Sequence, residues 1–154
     1  MLFTADKLFP CPKQIINVNY IFKTMSQLNF HNNDAGKSIH TLPIIQGFVA
    51  AYKLWHEFRD HFSKKYRYTI GEKIDTYFLE IIESLFIASY LNKQEKLPYL
   101  KRAGIKLDLL KFFLQIAWGL KALDNRQYIT LSERLDELGR MLGGWERQVT
   151  KTSA

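Results

Sequence analysis

Between Tyr128 and Trp145 the apolar residues Tyr128, Leu131, Leu135, Leu138, Leu142 and Trp145 recur at heptad spacing, while Ser132, Glu133, Arg134, Asp136, Glu137 and Arg140 fill the other positions. Only a helix with one buried side gathers that order into a continuous stripe, because a strand changes face at every residue. Three further stretches share the period. Ile45, Phe48, Tyr52, Trp55, Phe58 and Phe62 mark the first, with Thr41 as its N-cap and Pro43 in its first turn. Ile70, Ile74, Tyr77, Ile81, Leu85 and Ala88 mark the second, opened by Thr69 and Glu72 at the spacing of a capping box. Leu100, Ala103, Leu107, Leu110, Leu114 and Ala117 mark the third. No segment alternates with period two, so no sheet is expected.

The third stretch carries a second stripe, Ile105, Leu109, Phe112, Phe113, Ile116 and Leu120, on roughly the opposite side of the wheel. A helix of a lone bundle needs one buried stripe, so the second must meet another element or another subunit. Asn92 and Glu95 have capping-box spacing, but Pro98 points to a restart of this helix with the proline in its first turn. Asp124 and Gln127 open the last helix, and Gly143 with Gly144 either end it or permit close packing.

The predicted helices are 42–64, 70–91, 95–123 and 126–146, and their short connections force antiparallel neighbours. The fold class is therefore all-α, an antiparallel up-down four-helix bundle over residues 40–147. Residues 1–39 read as an irregular N-terminal arm or linker. Asn17, Asn19, Asn29, Asn32 and Asn33 crowd there with Pro10 and Pro12, and only Ile15–Leu28 has a weakly helical pattern. Residues 148–154 read as a polar C-terminal tail.

The 154 residues are 47% apolar and 24% charged, which is the size and composition of one globular domain. Cys11 is the lone cysteine, and no Cys/His spacing resembles a zinc module. Apolar runs fall far short of the roughly 20 residues that span a bilayer. Lys7, Pro10 and Pro12 stand where a secretory signal needs an apolar stretch, so the expected location is cytoplasmic, with no membrane contact.

Nothing in the chain marks catalysis. His56 and His61 lie five apart, about 140° round a helix, which is poor geometry for a shared metal. Glu80 and Glu83 share a face, yet no Glu-x-x-His motif accompanies them as a di-iron bundle requires. Ala35-Gly36-Lys37-Ser38 lacks the first glycine of a phosphate loop and no buried strand precedes it. Cys11, Ser63, Ser84, Ser89 and Ser132 have no activating partners in view. The Trp, Tyr and Phe content falls at helical spacing and reads as core packing ahead of base stacking. The expectation is a non-enzyme without metal or cofactor.

Charge is more informative. Twenty-two Lys and Arg against fifteen Asp and Glu give +7, and the excess is segregated. Lys93, Lys96, Lys101, Arg102, Lys106, Lys111, Lys121 and Arg126 against Glu95, Asp108 and Asp124 leave +5 around the third helix. Lys53, Arg59, Lys64, Lys65 and Arg67 against Glu57 and Asp60 leave +3 around the first. The second carries Lys73 against four acids, a net of −3. Such segregation is either a solvated face or a phosphate-binding surface, with Lys101, Arg102, Lys106, Lys64, Lys65 and Arg67 as the leading contacts.

Leu135-Asp136-Glu137-Leu138-Gly139-Arg140-Met141-Leu142-Gly143-Gly144-Trp145 resembles the closing motif of the Avd-like four-helix-bundle family. That family includes the accessory variability protein of diversity-generating retroelements and the proteins encoded in ribosomal-RNA intervening sequences. Tyr68–Ile74 is similar to its entry into the second helix and Lys106–Lys111 to its third, so the resemblance covers about Leu42 to Arg147. It implies a four-helix protomer assembled into a barrel-shaped homopentamer. It also implies a basic surface that binds RNA or DNA and a reverse transcriptase, in support of template-primed mutagenic complementary-DNA synthesis. Leu109, Phe112 and Ile116 are then expected near the subunit contact. The other reading is a stand-alone intervening-sequence-type structural oligomer, whose basic face is only solubilising.

Overall fold

The computed structural model describes residues 42–151, and the arm at 1–39 together with Thr41 lies outside them. Among the described residues there are four long helices and no strand, as the helical periods require. They are α1 (Pro43–Arg59), α2 (Glu72–Tyr90), α3 (Lys93–Gly119) and α4 (Asn125–Lys151). Helix α1 packs on α2 and α4, and α3 packs on the same two, so the four close a ring around one core. That core is the union of the stripes: Ile45, Phe48 and Trp55 from α1, Ile74, Ile81 and Leu85 from α2, every member of the Leu100–Ala117 stripe from α3, and Leu131, Leu135, Leu138 and Leu142 from α4. Each large side chain so buried contributes about 1.5–3 kcal/mol.

Leu42, in extended conformation, holds the N-cap position of α1, and Pro43 follows at the first helical position, where its missing N–H is no loss. The helix stops at Arg59 rather than 64. Its exposed end is closed by Arg67, whose guanidinium donates to the carbonyls of Asp60 at 2.9 Å and Phe62 at 3.1 Å. Ser63 is extended, and the chain restarts as a helical turn at Lys64–Tyr66 followed by a π-helical turn at Arg67–Gly71 that runs into α2.

Thr69 and Glu72 consequently form no capping box. The backbone is already helical at Thr69, and its hydroxyl donates back to the carbonyls of Lys65 and Tyr66 at 3.1 and 3.4 Å. Helix α3 also begins earlier than expected, directly after extended Asn92, with Pro98 inside it as the sixth residue. The proline removes the bond to the Gln94 carbonyl near the helix start, and burial of the following stripe carries the helix past it. The Asp124 box does form: the Gln127 amide donates to Asp124 Oδ1 at 2.8 Å and the Asp124 amide to Gln127 Oε1 at 3.1 Å. Gly143 and Gly144 do not end α4. It continues to Lys151, and buried Val149 anchors a last turn where a polar tail was expected.

Helix α1 comes close to α4 at Gly47, where a Cβ would overlap the Leu138 side chain. Polar bonds tie the other pairs. Lys106 of α3 meets Glu80 of α2 at 2.8 Å, and Lys111 of α3 meets Asp136 of α4 at 2.6 Å.

Candidate nucleic-acid interface

The sequence singles out six cations, and the fold divides them. Lys101 and Arg102 are exposed on α3, Lys64 and Lys65 on the turn before α2, and none of the four has an ion-pair partner among the described residues. Lys65 lies 5.5 Å from the centre of the Tyr66 ring, which steadies its stem without neutralising it. Lys106 is different: its side chain is three-quarters buried, and its ammonium is ion-paired with Glu80 at 2.8 Å and lies 5.4 Å from the centre of the Tyr77 ring. Arg67 is committed to the carbonyls of Asp60 and Phe62, just past the end of α1. Four of the six therefore present free charge and two bind the fold together.

The four do not form one patch. Lys106 meets Glu80 and the Phe113 ring lies 5.4 Å from that of Tyr77, so Lys101 and Arg102 sit toward the C-terminal half of α2. Lys64 and Lys65 precede its N-terminus. One chain thus offers two small basic clusters separated by most of a helix.

The second stripe of α3 remains on the outside. Ile105 is 62% exposed and Phe112 55%, with Leu120 also exposed, whereas Leu109, Phe113 and Ile116 are half-buried. The Phe112 ring meets Phe113 edge-on at 5.7 Å, which holds it against the helix surface. Among the described residues nothing covers this face.

Another polar cluster joins α1 to α2. Trp55, fully buried, donates its indole N–H to Asp75 Oδ1 at 2.6 Å, and Arg59 reaches Asp75 Oδ2 at 3.0 Å. The Tyr52 hydroxyl is pushed above its ordinary pKa, chiefly by burial and then by the Asp75 charge, with Arg59 acting the other way. His56 packs edge-on to Tyr52, 3.9 Å from Asp75. This arrangement is a structural network between α1 and α2, in which Arg59 Nε is left buried without a hydrogen-bond partner among the described residues. Among the described residues no three His, Cys, Asp or Glu side chains are grouped to hold a metal ion, and no helix is long and apolar enough to cross a membrane.

The turn between α3 and α4 is a feature that helical periods could not reveal. After Gly119 the Lys121 amide donates to the Trp118 carbonyl at 2.9 Å and the Ala122 amide to the Ala117 carbonyl at 2.9 Å, which is the double bond pattern of a Schellman ending. The left-handed residue that this ending demands is Lys121, at φ 57°, not a glycine. Beside it Trp118 stacks on Tyr128, rings 4.9 Å apart and 11° from parallel, and donates its indole N–H to Asn125 Oδ1 at 2.7 Å. The only sequence signal was a tryptophan placed off the buried stripe, two residues before a loop with a lysine in the glycine position.

No curated protein matches the chain. A family model described as bAvd-like matches residues 44–149, which takes in α1 almost from its start and α4 almost to its end. This span covers all four helices and both basic clusters, and agrees with the closing motif now seen on α4; the chain belongs to the bAvd-like family.

Proposed function

We propose that this protein is a nucleic-acid-binding accessory protein that partners the reverse transcriptase of a diversity-generating retroelement in the cytoplasm and has no catalytic role of its own. The observation that carries the reading is the set of exposed cations Lys64, Lys65, Lys101 and Arg102, without ion-pair partners among the described residues, on a member of this family. In this reading the bundle is antiparallel and up-down. The contacts of Tyr77 with Phe113 and Glu80 with Lys106, and of Lys111 with Asp136 and Leu107 with Gly139, support it, since in each pair of helices one partner's number falls as the other's rises. The protein acts as a closed homo-oligomer, a pentamer by family likeness, with Leu109, Phe112 and Ile116 near the subunit contact. The uncovered stripe of α3 supports that assembly.

Two weak clusters on one chain become a strong site when a ring repeats them, because a polyanion engaging several subunits binds each further one intramolecularly. Filter binding of structured RNA by the purified protein, across a salt series, tests this. Log K is expected to fall with log salt by about 0.7–0.9 per phosphate contact. The double substitution Lys101→Glu with Arg102→Glu is expected to weaken retention while leaving the helical content unchanged. Absence of retention at low salt, or retention indifferent to salt and to these reversals, would leave the solubilising reading of the basic face in its place.

A further inference from the structure

We propose that the hollow at the α3–α4 turn seats an unpaired base of a single-stranded nucleic acid, stacked on Trp118, with its neighbouring phosphates on Lys121 and Arg126. The inference rests on the nucleic-acid reading above and adds to it a place and a preferred form of strand. The hollow has a volume of about 760 Å³ and is lined by Trp118, Gly119, Lys121, Leu123, Asp124, Asn125 and Arg126. That is within the range of small-ligand sites and ample for a nucleotide.

Trp118 is held as a platform. Tyr128 covers one face, Asn125 fixes the ring edge, and the residue is still 39% exposed, with its accessible side bordering the hollow. An indole already immobile loses little further freedom when a base stacks on it. Stacking tolerates any base, since each has a π-face, but a base inside a duplex is already stacked on its neighbours.

The turn itself needs none of this. The Schellman bonds end α3, the Asp124–Gln127 box starts α4, and buried Leu123 anchors the loop between them. Yet the left-handed position is held by a lysine, where glycine would be free of strain. Lys121 and Arg126 are both exposed and neither has an ion-pair partner among the described residues. The lining holds two cations and a single anion, Asp124, whose Oδ1 is occupied by its cap.

The test is fluorescence anisotropy of the full chain with a labelled single-stranded oligonucleotide and with the duplex of the same sequence, at one low salt concentration. Trp118→Ala is expected to weaken single-strand binding roughly tenfold and to leave the duplex almost untouched. Trp118→Tyr, which keeps an aromatic face, is expected to restore most of it. Lys121→Gly is expected to raise the melting temperature and yet weaken single-strand binding several-fold, so it carries the test even if Trp118→Ala unfolds the turn. Trp118→Ala and Lys121→Gly proteins that bind the single strand like the wild type would overturn the proposal, as would equal losses on strand and duplex. If those two bind normally while the Lys101/Arg102 reversal fails, this site falls and the function stands. If the unaltered protein binds neither probe, both fall.

Discussion

Asp75 shows how much one carboxylate can organise. It accepts the indole N–H of a fully buried tryptophan and faces the Arg59 guanidinium, so its loss strands a donor and a cation together. Asp75→Ala is expected to cost about 2–4 kcal/mol in chemical denaturation. Asp75→Asn, which keeps an acceptor for Trp55, should cost distinctly less. Equal effects would mean that the charge and not the hydrogen bond matters. The same distinction applies to the basic residues. Sequence identified Lys101 and Lys106 as equals, but Lys106 is bonded to an acid 26 positions earlier in the chain, and no local pattern announces such a partner. The candidate cations were therefore legible as a class, and their division into free and committed members was not. Trp118 was hidden for a related reason: its stack on Tyr128 joins residues on two helices across a turn.

At the scale of helices, the buried stripe of α3 is the part that sequence described best, since all six of its residues are buried. A period of 3.6 follows directly from which side is covered, and needs no knowledge of neighbours. Ends are another matter. Thr69 with Glu72 has the same spacing as Asp124 with Gln127, yet only the second pair caps a helix. What separates them is whether the preceding backbone is free, and for Thr69 that was decided by the break at Ser63 and the Arg67 bonds. Pro98 likewise argued for a later start than α3 has. Because it stands past the first turn with no N–H for the Gln94 carbonyl, Pro98→Ala is expected to stabilise the protein by about 1–2 kcal/mol, measured by thermal unfolding. A lower melting temperature would show that the proline's restriction of the unfolded chain outweighs the missing bond.

For the whole molecule the outer side of α3 governs the proposed assembly. Ile105, Phe112 and Leu120 lie on its outer side, and apolar area of that kind on a lone chain marks an interaction surface. Light scattering at micromolar concentration is expected to give a closed multiple of the 18.1 kDa chain, and Phe112→Glu to shift it toward the single chain. A monodisperse monomer from the unaltered protein would end the assembly proposal. The Lys106–Glu80 and Lys111–Asp136 bonds acquire a further meaning here, since they grip α3 from α2 and α4 respectively. A rod greasy on two sides has no preferred way up; rolled by half a turn, it would offer one oily flank to the interior about as readily as the other. The two lysines act as keys in keyways, polar contacts that fit only the orientation in which Ile105 and Phe112 meet the outside world.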